Sequence, residues 1–138
     1  MDITLLYAGP LGLWFLILSI RVIVGRRSTQ TSLGDGGNQT MLRLIRGQGN
    51  FVEYTPLILI LMALLESKAA PAALLHSIGA MLLAGRLLHG YAFCFSDFFP
   101  AGRFGGTLLT FISLLVASVA AVGGAVSRLE LSDGTAPC

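Results

Sequence analysis

Arg46, Asn50 and Glu53 stand at positions i, i+4 and i+7 of an otherwise apolar stretch, with Tyr54 directly beside them. On a helix that spacing puts the first three on one face. A second polar pair, Arg86 and His89, recurs at i and i+3 further along the chain. A guanidinium takes a carboxylate bidentately, and a carboxylate takes an ammonium. An arginine, an amide, a carboxylate and a phenol converging in one cleft would suit a small zwitterion with several charges. The same residues could instead satisfy one another. Arg46 with Glu53, or Glu53 with Arg86, would make buried ion pairs that fix helix register. Spacing alone leaves both readings open.

The surroundings of these residues make their presence costly. The chain has 138 residues, of which 54% are hydrophobic and 12% charged, with a mean hydropathy of +0.79. Soluble domains carry about 25% charged residues, so too few polar side chains are present to cover a water-facing surface. A membrane crossing needs about 20 apolar residues, and four crossings would consume nearly the whole chain. In hydrocarbon an ionisable side chain costs roughly 2.5–3.5 kcal/mol on insertion scales, so each one inside a span is a candidate for function.

The pattern predicts an all-α integral membrane four-helix bundle, a single domain over 1–138. Its helices are expected at about 3–24, 41–67, 72–95 and 106–126, with a polar tail at 127–138. Gly9, Pro10 and Gly12 fall inside the first helix, where membrane helices tolerate them. That segment has no basic region ahead of it and no small-residue cleavage site after it, so it reads as a retained helix. Gly34-Asp35-Gly36-Gly37 marks a turn in the first loop, and 96–103 reads as the connection into the fourth helix. Arg26, Arg27, Arg43, Arg46 and Arg103 cluster around the first and third connections, which predicts that those connections face the cytoplasm and both termini lie outside.

Other chemistries find little support. The net charge of +2 comes with no basic run interleaved with aromatics, so no nucleic-acid partner is expected. Cys94 and Cys138 make neither a disulfide framework nor, with His76 and His89, a zinc pattern. Cys94 reads as inert packing, since nothing near it in sequence would activate the thiol.

The run Arg46-Gly47-Gln48-Gly49-Asn50-Phe51-Val52-Glu53-Tyr54-Thr55-Pro56 resembles the R-x-Q-x-N-x-x-E-Y-x-P signature of the MAPEG family, the membrane-associated proteins in eicosanoid and glutathione metabolism. Arg26-Arg27 at the end of the first helix and Gly85-Arg86-Leu87-Leu88-His89 in the third are similar to other family motifs, and Ser32 to Gly37 resembles the loop of bacterial members. The resemblance spans about 5–126. It implies homotrimers in a bacterial inner membrane, with glutathione as co-substrate between subunits. Arg46, Asn50, Glu53 and Tyr54 would hold it from one protomer, and Arg26 and Gln48 from the next. Arg103 would stabilise the thiolate as the catalytic residue. The implied function is a glutathione transferase or peroxidase acting on lipophilic electrophiles or hydroperoxides.

The chain departs from the pattern at one place. Several family enzymes carry a tyrosine four residues after the position of His89, and here that residue is Phe93. Tyr91 cannot substitute, because two residues on a helix are about 200° apart. A non-catalytic scaffold that binds lipid or glutathione is therefore the alternative, since the family also contains such a member. A transporter or channel subunit would need polar residues through the depth of several helices, whereas the fourth is nearly free of charge.

Overall fold

A computed structural model describes residues 1–96 and 98–133 as four helices: α1 (Asp2–Ser28), α2 (Gln39–Ser67), α3 (Ala72–Cys94) and α4 (Pro100–Asp133). All four are long and apolar enough to cross a membrane. Short connections make them run alternately up and down. Packing places α3 against all three of the others and α2 likewise, whereas α1 and α4 have no contact among the described residues. Leu18, Met41, Ile58, Met62, Ile78, Leu82 and Ala117 are fully buried along the central seams. Leu13, Leu57 and Leu115 point outward, 66%, 50% and 63% exposed. Apolar side chains facing both inward and outward are what a helix needs when its outer solvent is lipid. The chain is a multi-pass membrane protein.

Four helix ends differ from the sequence expectation. α1 continues through Arg26-Arg27 to Ser28, because cations in a last turn complement the helix dipole rather than break it. α2 begins at Gln39, with the Asn38 side chain accepting the Met41 N–H at 3.0 Å. α4 starts at Pro100, six residues before the expected position, and runs on to Asp133 into the stretch expected as a polar tail. A proline suits the first turn of a helix, where its missing N–H has no partner to lose. Cys138 lies outside the described residues. The turn at Gly34, Gly36 and Gly37 is present, with φ of 64°, 59° and 73°.

Small residues decide how closely the helices approach. At the α3–α4 crossing a Cβ on Gly106 would lie 2.7 Å from both the Gly85 carbonyl oxygen and the His89 nitrogen. Where α2 meets α3, a Cβ on Gly47 would sit 2.7 Å from Cys94 Sγ. Close backbone approach through glycine is a common means of packing helices in lipid. Here it draws α2, α3 and α4 together at one end of the bundle.

Candidate functional site

A cleft of about 380 Å³ opens at that end, lined by Ile45, Arg46, Gly49, Asn50 and Glu53 from α2, His89 and Phe93 from α3, and Arg103 from α4. The i, i+4, i+7 stripe of α2 forms one wall. Because α4 starts at Pro100, Arg103 stands in its first turn and not in the preceding loop. Its guanidinium lies 4.5 Å over the Phe93 ring. The other ring contact of Phe93 is with His89, stacked with centroids 4.7 Å apart. Phe93 thus sets Arg103 and His89 around the cleft mouth. A second groove, of about 340 Å³, continues past the same three residues toward Phe104 and Thr107.

Neither ion pair weighed from spacing forms. Among the described residues Glu53 lies within ion-pair distance of no cation, and Arg46 of no carboxylate. Both are exposed on the cleft side. Arg86 is bonded elsewhere: it is 1% exposed and donates to Asn50 Oδ1 at 2.8 Å, to the Asn50 and Gly106 carbonyls, and to Thr110 Oγ1.

Of the residues singled out by sequence, Arg46, Asn50, Glu53 and Arg103 are brought together. Three are not. Tyr54 turns to α4, its ring 5.4 Å from that of Phe111. Gln48 faces α1, with Nε2 3.5 Å from Ser19 Oγ. Arg26 binds its own loop, donating to the Ser32 and Gly34 carbonyls at 3.4 and 3.1 Å. In one protomer these three stand away from the cleft. His89 and Phe93, absent from the expected site, line it; their i, i+4 spacing, in register with Arg86, was the available signal.

Nearby, Arg21 donates from Nε and Nη2 to the Cys94 carbonyl, and Arg43 to the Ala92 and Ser96 carbonyls. These two cations satisfy the α3 C-terminus. Cys94 itself is buried, packed against Gly47.

The arrangement offers two guanidinium groups, an amide, an imidazole and a carboxylate with hydrogen-bonding capacity to spare. Such a set can grip a small molecule carrying both signs of charge. The model of the MAPEG family matches residues 4–123. The chain is 37% identical over 91 residues to the inner membrane protein YecN of Escherichia coli K12, which covers 66% of this chain and 70% of that protein. The YecN protein of E. coli O6:H1 gives the same figures. No solved structure matches.

Proposed function

Because the chain belongs to the MAPEG family, we propose that its cleft binds glutathione and that the protein joins this thiol to lipophilic electrophiles or uses it to reduce lipid hydroperoxides. The observation carrying the reading is that Arg46, Asn50, Glu53 and Arg103 surround one cleft without pairing with each other. Glutathione has two carboxylates, one ammonium and one thiol. Arg46 suits a carboxylate, Glu53 the ammonium, and Arg103 the sulfur.

A free thiol of this type has a pKa near 8.5 and is mostly protonated at neutral pH. A guanidinium within reach favours the thiolate, which is the nucleophile. The thiolate sulfur then attacks the electrophilic carbon; the C–S bond forms and the leaving group departs with its electron pair. The electrophile enters sideways from the bilayer, along the groove past Phe104. In the proposed trimer, Arg26 and Gln48 serve the cleft of a neighbouring protomer. Arg21, Arg26, Arg27, Arg43, Arg46 and Arg103 all belong to the cleft half of the bundle, which supports a cytoplasmic position for that half and an outer one for both termini.

One observation favours a second reading, binding without catalysis. Phe93 presents a ring with no hydroxyl beside Arg103, so the sulfur would have a single group to stabilise it. Calorimetric titration of the detergent-purified protein with glutathione tests binding, and thiolate absorbance in stopped flow tests activation. Arg103→Ala should reduce the thiolate signal by roughly ten- to a hundredfold while leaving binding within a few-fold. Wild-type protein that binds glutathione without raising the thiolate signal would establish the second reading; no binding would remove both.

A further inference from the structure

Arg86 is the anomaly of this bundle. It lies within the α3 span with 1% of its surface exposed, and no described carboxylate pairs with it. Its Nε has no partner. A buried guanidinium without a counter-ion is expensive in a low-dielectric interior. Every group it hydrogen-bonds is neutral: Asn50, the Gly106 carbonyl and Thr110. A residue whose purpose was only to hold three helices together could be replaced by a neutral side chain at less expense.

The donor–acceptor inventory says what the charge accomplishes. A guanidinium has five N–H donors and no acceptor. The Asn50 atom 2.8 Å from Nη1 is therefore the amide oxygen, because an N–H facing an N–H would repel. With the oxygen held, the amide nitrogen of Asn50 keeps both its hydrogens. Asn50 lines the cleft, and no described group accepts from that nitrogen.

We infer that Arg86, which does not itself line the cleft, is a positioning residue: it fixes the Asn50 amide so that its N–H groups, and not its oxygen, meet the bound molecule. The α2 wall then reads in order cation, donor, anion through Arg46, Asn50 and Glu53. A ligand must answer with carboxylate or carbonyl oxygens toward Arg46 and Asn50 and its ammonium toward Glu53. This rests on the cleft being a ligand site, and it adds the direction in which a zwitterion lies in it.

The decisive variant is Asn50→Asp. A carboxylate still accepts from Arg86, and now pairs a charge with it, yet it offers the cleft only acceptors. Without ligand, the melting temperature of the detergent-purified variant should equal or exceed that of the wild type. With glutathione, affinity should fall at least about tenfold. Arg86→Gln gives the complementary case. Its amide can pair with Asn50 in either sense, so affinity should fall even when the assay temperature is well below melting, and Arg86→Lys, a pure donor, should restore part of it. An Asn50→Asp protein that melts lower without ligand would show that Arg86 does not hold the oxygen. One that binds glutathione like the wild type, or an Arg86→Gln protein with unchanged affinity, would show that amide direction is immaterial. Wild-type protein that ignores glutathione would end the glutathione reading, and the melting comparison without ligand would still decide whether Arg86 holds the Asn50 oxygen.

Discussion

Two glutamates on α2, Glu53 at its midpoint and Glu66 in its last turn, meet opposite fates. Glu66 Oε1 accepts the Ile3 N–H at 2.9 Å, and Oε2 accepts the Thr4 N–H at 2.9 Å and the Thr4 hydroxyl at 2.6 Å. α1 has no side-chain cap of its own, so a carboxylate from another helix satisfies its first amides and faces the positive end of its dipole. Glu53 accepts from no described group and opens on the cleft. The same residue type is thus a finished structural joint at the end of the helix and a vacant valence at its middle. Polarity inside a membrane bundle points to function only where the folded chain leaves it unanswered.

The largest effect should come from the backbone crossing that builds the cleft end. In Gly106→Ala the new methyl would lie 2.7 Å from backbone atoms of Gly85 and His89, which cannot swing aside as a side chain could. Overpacking of this kind costs about 1–3 kcal/mol, and α4 would move away from α3, carrying Arg103 with it. Melting temperature should fall sharply and glutathione binding should disappear. At the far end, a Cβ on Gly124 meets nothing within 4 Å. Gly124→Ala should leave melting unchanged or raise it slightly through helix propensity. Equal effects from the two substitutions would mean that the ends do not differ in tightness.

A crossed pair of neutralisations is next in size. Glu53→Gln should melt like the wild type and bind glutathione about tenfold more weakly, since a charge-assisted contact to the ammonium becomes a neutral one. Glu66→Gln should do the reverse. Its amide keeps one acceptor oxygen where α1 needs two, so melting temperature drops while affinity measured below the transition is retained. If Glu66→Gln alone abolished binding, or Glu53→Gln alone destabilised the protein, the two glutamates would have exchanged roles.

The α2 stripe was legible because helical period is a local property: 3.6 residues per turn fixes which side chains share a face, whatever packs against it. The partner of each side chain was not. Arg86 was a plausible mate for Glu53 until the Gly85–Gly106 crossing set the depth and rotation of α3 and brought it to Asn50 instead. The role of Glu66 depends on residues more than sixty positions away, and no pattern in the intervening chain announces it. Tyr54, one residue from Glu53, is rotated by about 100° and so meets Phe111 instead of the cleft. The early start of α4 had a visible signal in Pro100, but the onset of the unbroken apolar run at Gly106 was the stronger cue and misled.

The smallest effect should come from the ring that organises the cleft mouth. Phe93 holds Arg103 through its face and stacks on His89, contacts far weaker than the three hydrogen bonds of Glu66. A cation–π contact at an exposed site contributes about 0.5–1 kcal/mol. Phe93→Leu keeps an apolar wall but removes the π face, so Arg103 gains rotamers that point away from the cleft. Binding of glutathione should weaken by roughly two- to fivefold, with melting nearly unchanged because Phe93 is only partly buried. Arg103→Ala introduced into Phe93→Leu should then produce a smaller loss than it does in the wild type, because part of what Arg103 contributes depends on the ring. Strictly additive losses in that double-variant cycle would mean that Arg103 keeps its place without Phe93, and that the open end is as firmly built as the closed one.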